Sequence, residues 1–562
     1  MSGRFHWRQI GFLLLLAGTM QGWMVARNRV PAQDAAAFIQ FARQFEHNSI
    51  ADTLRRNPQH PLFPLAVWAE HWLFGGLVGD SSTSWLRSAQ WMAALAAVLL
   101  VVPMYFAGVR LADRFLATGA TALFSLLPVT ARLGADALSD STYLLFVLVG
   151  FWSGAEFLAT RRAHWLAVAG VGIGLAYLAR PEALLLPLAF GATCVVVQCR
   201  SAWRIAWREL ALAAVGLAAG MLVVAAPYVV TTGKLTPKGS VILLPGGRAF
   251  AAGQDSNDAR VPIAGLSDGH VVARLVAPLE AASGERLDFG VKHRTPAERF
   301  KGYGAAIKEL TRELVEGLHY IFGLLVLVGI SQARRQPANL FAALLAVVFA
   351  LVLVPFASRA GYIASRHVLS IVCMGSFVAA RGGWMLAGVL ATTWGRATAR
   401  LRGLACSAEL SNDEIARRRL AGVLLAAAGV FCLPRNAVAL HASREAHAEA
   451  GSWLAEHASA MAVVLDSRGW TALYSNLPSY NYHGARIAIE DPRLEFIVVE
   501  RSEFDGDEPR AATLRYLLGA AGQKEAEFRT AAFPDETVQV FRWFPERLAD
   551  AVRGTMRAPL AN

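Results

Sequence analysis

Long blocks of apolar residues, separated by short arginine-bearing gaps, fill the first 436 positions of this chain. "IGFLLLLAGTMQGWMV" near the start and "LFAALLAVVFALVLVPF" further on are typical. A helix rises about 1.5 Å per residue, so blocks of about 16 to 22 residues can cross a hydrocarbon core of about 30 Å. Eleven such blocks occur, near residues 10–26, 88–109, 115–133, 141–159, 164–180, 181–199, 209–230, 316–331, 338–356, 367–381 and 419–436. The first could be a cleavable signal peptide with Arg4 and Arg8 as its basic end, although ten further spans need no such removal. The pattern predicts an α-helical multispanning membrane protein of about eleven transmembrane helices.

Four segments fall outside the blocks on one side. In residues 27–87, Phe38, Phe41, Ala42 and Phe45 recur at helical spacing, and "HPLFPLAVWAEHWLF" repeats the pattern. Both read as interfacial helices whose apolar stripe rests at the membrane surface. Residues 231–315 are Gly-rich at first and end in the amphipathic "AAIKELTRELVEGLHY". The third segment is the short "ASRAGYIASRH". From about residue 440 the pattern changes to helix-like "SREAHAEAGSWLAEHA" and strand-like "MAVVLD", "EFIVVER" and "TVQVFRWF". That alternation predicts a small external α/β domain, dividing the chain into a membrane domain, 1–438, and an accessory domain, 439–562.

Composition agrees. Of 562 residues, 55% are hydrophobic and 17% charged, with a mean hydropathy of +0.39, which excludes an ordinary soluble domain. The net charge of +12 is carried almost wholly by arginine, since there are six lysines and five lie between Lys234 and Lys308. Arg4/Arg8, Arg110/Arg114, Arg161/Arg162, Arg200/Arg204/Arg208, Arg334/Arg335 and "GRATARLRG…ARRRL" occupy alternate gaps. By the positive-inside rule those gaps and the N-terminus are cytoplasmic, and the C-terminal domain is on the outer, periplasmic side. The arginine-over-lysine bias points to a GC-rich bacterial genome and names no membrane beyond an energy-transducing one; the expected location is a bacterial plasma (inner) membrane. No nucleic-acid-binding motif is present, and the five cysteines form neither a CxxC pair nor a disulfide framework.

Against this topology some charges are misplaced, and ionisable groups in or at a membrane are functional hypotheses by default. Asp34 follows the first span in "AQDAAAFIQFARQF". Asp136 and Asp140 stand in "ARLGADALSDSTYLLF", Arg180 and Glu182 in "AYLARPEALLLP", and Arg366 and His367 in "GYIASRHVLSI", all at predicted outer ends. Structural roles compete: Asp34 and Asp140 could cap helices, Arg180–Pro181–Glu182 could be a turn, and Arg366 could snorkel to lipid headgroups. Taken together, with Lys234 and Lys238 in "TTGKLTPKGS", they would converge at the outer interface. A carboxylate can take a proton from an acceptor, and arginine can hold a phosphate.

With "HPLFPLAVW", which contributes His60 as a further candidate, and "APYVVTTGKLTPKGS", these segments resemble in sequence and order the GT-C membrane glycosyltransferases. The resemblance is to the bacterial relatives of dolichyl-phosphate-mannose protein mannosyltransferases and of the aminoarabinose transferase that modifies lipid A, and it spans roughly residues 8–436. It implies an enzyme that moves a sugar, with inversion, from a polyprenyl-phosphate donor to an acceptor lipid, protein or glycan on the outer face. It casts Asp34 as general base, Arg366 and Arg180 as donor-phosphate ligands and Lys234 and Lys238 as a basic loop. Many relatives carry Asp–Glu at the first acid, whereas Ala35 follows Asp34 here, so a supporting acid must come from elsewhere, with Asp140 the candidate. Some relatives bind a divalent metal near that acid and others need none; the sequence shows no ligand set, so no cofactor is assigned. The alternatives are a transporter or flippase of a lipid-linked sugar and a non-catalytic scaffold. A transporter would place its site near the midplane, commonly between internal repeats, and neither is visible here.

Overall fold

The computed structural model describes residues 3–57, 59–79, 81–200, 204–235, 296–330, 336–401, 410–466, 468–506, 509–548 and 550. The chain begins with α1 (Gly3–Arg27), followed by α2 (Ala35–His47), α3 (Ile50–Arg56) and α4 (Leu62–Val78) of the first external loop. Next come α5 (Ser82–Leu99), α6 (Val101–Leu111), α7 (Arg114–Leu126), the single turn α8 (Pro128–Ala131), α9 (Asp140–Thr160) and α10 (His164–Ala179). After a 3-10 turn at Pro181–Leu184 follow α11 (Leu185–Gln198), α12 (Trp207–Thr232), α13 (Pro296–Gly317), α14 (Ile321–Ile330) and α15 (Pro337–Ala360). A second 3-10 turn, Ser365–Val368, leads into α16 (Leu369–Leu401), and α17 (Leu410–Asn436) closes the helical part.

Seven helical stretches are long and apolar enough to cross a membrane, among them His6–Arg27, Ser82–Leu111, Asp140–Thr160 and Ser365–Thr393, and each coincides with a block read from the sequence. The other four blocks are short, bent or charged. Helix α7 has 13 residues and ends where Pro128 follows, and α10 has 16. α13 and α14 make a broken pair bent by 103°, an eighth span if counted as one. The bend sits at His319 and Tyr320, whose φ angles of 50° and 49° are left-handed. α17 carries Arg417, Arg418 and Arg419 near its start. By length and composition alone, seven or eight of the expected spans are evident among the described residues, and His164–Ala179 is a further, shorter apolar helix.

Helices α10 and α12 touch backbone to backbone. A Cβ at Gly170 would collide with the Leu217 carbonyl, and one at Gly220 with the Ala167 carbonyl, so only glycine allows this approach. The apolar stripe of α2 differs from expectation: Phe38, Phe41, Ala42 and Phe45 are buried in the protein, Phe38 and Ala42 in one core with Phe63, Val67 and Trp85.

The tail forms a five-stranded sheet of order β2-β1-β3-β5-β4 from β1 (Val463–Asp466), β2 (Ser479–Tyr480), β3 (Leu494–Glu500), β4 (Gly522–Thr530) and β5 (Phe533–Trp543). β1 pairs parallel with β2 and β3, and β5 lies antiparallel to β3 and β4. The three predicted strands are β1, β3 and β5, and the predicted helix is Glu445–His457; the short β2 and the charged β4, "GQKEAEFRT", carried no apolar signal. The tail packs on the first external loop: Leu473 joins the core around Ala35 and Phe38. Trp470 Nε1 donates to the Pro31 carbonyl at 3.1 Å and the Tyr474 hydroxyl to the Arg29 carbonyl at 2.7 Å.

Inside the tail, Glu500 accepts from Arg444 (2.8 Å), Arg468 (3.2 Å) and His447 (3.0 Å). Burial alone would raise its pKa, but the His447 hydrogen bond and the Arg468 and Arg444 charges override it, and the carboxyl is lowered from 4.5 to about 2. A depressed carboxylate contributes stability above its unfolded pKa, so this contribution, on the order of 2–3 kcal/mol, is lost as pH falls from about 4.5 to 2. Glu500→Gln is expected to destabilise the tail at pH 7 by a similar amount and to flatten its acid response, read by tryptophan fluorescence against denaturant at several pH values. Unchanged acid sensitivity would remove Glu500 as its source.

Candidate active site

The start of α9, the end of α10, the start of α16 and the loop after α1 meet, and the charges that were misplaced in the sequence find one another there. Arg366 Nη2 donates to Asp34 Oδ2 at 2.7 Å, joining positions 332 apart in sequence. Arg180 Nη1 lies 2.8 Å from Asp140 Oδ1, and Arg180 Nε donates to Ser139 Oγ at 3.4 Å. The pairs belong to one field: Arg366, Asp136 and Glu182 all act on Asp140, and Asp34 acts on Arg180.

Local geometry explains each placement. Asp34 stands at the N-cap position of α2, yet its backbone is helical and its side chain makes no capping bond; it turns to Arg366 instead. The capping alternative therefore fails for Asp34, as snorkelling does for Arg366. Asp140 opens α9 and is almost wholly buried, directed at Arg180 rather than at free N–H groups of its helix. Between Asp136 and Asp140, Ala137 adopts φ 53°, a left-handed conformation unusual for alanine that folds the two acids' segment back on itself. Pro181 starts the next turn and stops α10 one residue after Ala179, leaving Arg180 extended at the seam.

The loop bearing Asp34 is held from several sides. Ala32 N–H donates to the Asp136 carbonyl at 3.2 Å. Gln90 bridges the Asn28 and Ala135 carbonyls at 3.3 and 3.0 Å, and Gln21 joins the Thr130 carbonyl and the Gly134 N–H. Satisfied buried amides of this kind fix register in an apolar surround. The tail adds the Pro31 and Arg29 contacts and the bond of 2.9 Å from His441 Nε2 to Asp136 Oδ1.

The remaining candidates spread around this centre. Asp136 is braced by Arg132 at 3.5 Å as well as by His441. Glu182 is exposed and acts on Arg180 through its charge. His367 Nδ1 accepts from the Ala364 N–H at 3.0 Å and its ring packs on Phe356, so it shapes the turn that presents Arg366. His60 is buried against the rings of Tyr177 (5.2 Å) and Tyr228 (5.6 Å). The Tyr177 hydroxyl donates to the Leu235 carbonyl, which places exposed Lys234 beside that cluster. Lys238 lies outside the described residues.

Sequence reasoning passed over Arg132, which donates to Ser365 Oγ at 2.5 Å, one position before Arg366. It was legible as another arginine in an outer gap, one helical turn before Asp136. Two buried polar atoms in the cluster, Asp140 Oδ2 and Arg366 Nε, have no hydrogen-bond partner among the described residues, which is rare in a finished interior and suits a site that takes a polar ligand. No group of three or more His, Cys, Asp or Glu side chains comes together to hold a metal ion among the described residues.

Chemically, the arrangement offers an ionisable carboxylate on Asp34 at 52% side-chain exposure, an arginine in contact with it, and a second arginine fixed by a buried acid. No protein-family model matches the sequence, and no curated protein matches it. Solved structures share its fold. ArnT from Cupriavidus metallidurans bound to undecaprenyl phosphate is similar at a TM-score of 0.56 and 13% identity, over 96% of this chain and 98% of that one. The Archaeoglobus fulgidus oligosaccharyltransferase in its apo form gives a TM-score of 0.56 at 12% identity, over 93% of this chain and 73% of that one. The oligosaccharyltransferase AglB from Archaeoglobus fulgidus, in complex with an inhibitory peptide and a dolichol-phosphate, gives 0.57 at 13% identity, over the same shares. The fold is therefore the GT-C membrane architecture that the sequence led one to expect.

Arg180→Met is expected to leave Asp140 buried without its cation and to destabilise the protein by about 3–5 kcal/mol, whereas adding Asp140→Leu should recover most of the loss. Thermal unfolding in detergent reads both. A single mutant as stable as the parent would mean that the pair carries no structural weight.

Proposed function

We propose that this chain is an inverting membrane glycosyltransferase that moves a sugar from a polyprenyl phosphate to an acceptor at the outer face of a bacterial plasma membrane. The contact between Asp34 and Arg366 carries the reading, because it unites a proton acceptor and an anion ligand that the sequence separates widely. The fold shared with an undecaprenyl-phosphate-bound and a dolichol-phosphate-bound structure supports it. The arginine distribution supports a cytoplasmic N-terminus and a periplasmic tail.

In this mechanism an acceptor hydroxyl or amine attacks the anomeric carbon from the side opposite the phosphate. The new bond forms as the bond from that carbon to the phosphate oxygen breaks. The acceptor's proton goes to Asp34, and the electron pair leaves on the lipid phosphate, where Arg366 and, from its buried pair, Arg180 stabilise the charge. A carboxylate in contact with a guanidinium is a weak base, since the cation favours its ionised form. Donor phosphate that draws Arg366 away from Asp34 would restore the carboxylate's basicity as the sugar arrives. Asp140 keeps Arg180 in place and is too buried to exchange protons with an acceptor. Lys234, just past the end of α12, would add a further cation for the donor phosphate.

The test is release of free polyprenyl phosphate from a labelled polyprenyl-phosphate sugar by the purified protein in nanodiscs, with envelope extract as acceptor. Asp34→Asn keeps shape but loses basicity and is expected to lower turnover by about 10²–10⁴. Near-normal turnover would remove Asp34 from the chemistry. Arg366→Ala is expected to cost about 10²–10³ in kcat/KM for the donor, with Arg366→Lys intermediate. Donor use indifferent to Arg366 would sink its role. Transbilayer movement of intact lipid-sugar without any release would favour transport instead.

A further inference from the structure

Tyr143 takes no part in the contacts described so far, yet it stands where several of them cross. Its N–H donates to the Ser139 carbonyl at 2.9 Å, so the first turn of α9 is regular, and Ser139, Asp140 and Tyr143 share one face of the helix. Arg180 holds the first two, Ser139 Oγ at 3.4 Å and Asp140 Oδ1 at 2.8 Å. Tyr143 is the next residue along the face that Arg180 covers, and Arg180, Glu182 and Asp140 all act on its phenol. The residue is only 6% exposed. Ser370, in the first turn of α16, is near enough to act on the hydroxyl, but Tyr143 Oη makes no bond of hydrogen-bonding geometry among the described residues. A buried hydroxyl without a partner is a cost that phenylalanine, of the same shape, would not carry.

The surrounding charges say what such a hydroxyl is for. Arg180 and Arg366 each already face an acid, Asp140 and Asp34; Glu182 adds a third carboxylate, and Asp136 is matched by Arg132 and His441. The field is not cationic, so an anion here is held by donors that lack an acceptor rather than by net charge. Tyr143 Oη and Arg366 Nε are two such buried donors in this cluster, and the oxygens of a phosphate only accept. We infer that the Tyr143 hydroxyl donates a hydrogen bond to the phosphate of the lipid-linked donor, beside Arg180, and is a further catalytic residue of the proposed transfer. The inference rests on the glycosyltransferase reading for the reaction, while the phosphate contact stands apart from it. No proton changes hands at Tyr143. As the bond between the anomeric carbon and the phosphate oxygen breaks, its electron pair stays with the phosphate, and the hydrogen bond strengthens with the charge it meets.

Tyr143→Phe removes one oxygen and leaves the ring, so the full-length variant in nanodiscs tests this directly. It should unfold at a temperature equal to or above the parent's, because no bond within the protein is lost. It should bind undecaprenyl phosphate about 10- to 100-fold more weakly, the worth of one hydrogen bond to a charged group, and bind undecaprenol as the parent does. Its kcat/KM for the lipid-linked sugar donor should fall by at least as much. Ser370→Ala should leave binding and turnover near the parent's. A lower unfolding temperature for Tyr143→Phe, reproduced by Ser370→Ala, would make the hydroxyl a structural tie between α9 and α16 and overturn the inference. Displacement of undecaprenyl phosphate by millimolar inorganic phosphate would show a free-anion site and overturn the lipid-linked assignment. Weakened undecaprenyl phosphate binding by Tyr143→Phe, when the parent protein releases no polyprenyl phosphate from the sugar donor, would defeat the proposed function and leave the phosphate contact standing. Ordinary release by the parent, with binding and turnover indifferent to Tyr143→Phe, would defeat the contact and leave the function.

Discussion

A charge taken out of water must meet an opposite charge or hydrogen-bonding dipoles, and that requirement organises the end of this molecule where α9, α10 and α16 meet. Asp140 cannot stay buried without Arg180, so the ends of α9 and α10 are bound to each other at that point. Arg366 and Asp34 do the same for α16 and the loop after α1, but less deeply, with the carboxylate half exposed. The buried pair serves as anchor and the exposed one can exchange partners. That division of labour is what a site needs if one arginine must stay and another must change hands during a reaction.

Around the charges the support is neutral. Gln21, Asn28 and Gln90 hold backbone carbonyls of three segments in an apolar surround, and Trp470 and Tyr474 reach from the tail to the Asp34 loop. The tail is thus joined to the loop that carries the proposed base, and the end of its strand β3 is held by the Glu500 network. Removing it would uncover Ala36, which is buried and lies against Gly469.

Hydrophobic blocks made the helical membrane architecture legible, because a block long enough to cross lipid has few other uses. Span number was less legible: α7 and α10 are apolar but short, and two left-handed residues break α13 from α14 without a proline or glycine at His319 or Tyr320 to announce it. The stripe of α2 carried helical periodicity, but periodicity does not say whether lipid or protein covers it, and here protein does. Asp34, Asp140, Arg180 and Arg366 stood out because each defied its predicted environment, and the fold brings all four together. His60 packs between two tyrosine rings, and His367 shapes the turn that presents Arg366 within the same field of charges. Arg132 stood in plain view one turn before Asp136, but its bond to Ser365 was hidden, since a contact across hundreds of positions leaves no local trace.

The glycine seam between α10 and α12 also limits how the molecule can move. With Gly170 against the Leu217 carbonyl and Gly220 against that of Ala167, there is no layer of side chains to shear, and the two helices behave as one stiff lever. Arg180 at the end of one arm and Lys234 at the end of the other must then travel as a fixed span, like the jaws of a caliper locked at one setting. Any hinge in this part of the molecule has to pivot somewhere else, because the backbones that lead to Arg180 and Lys234 are joined at this seam.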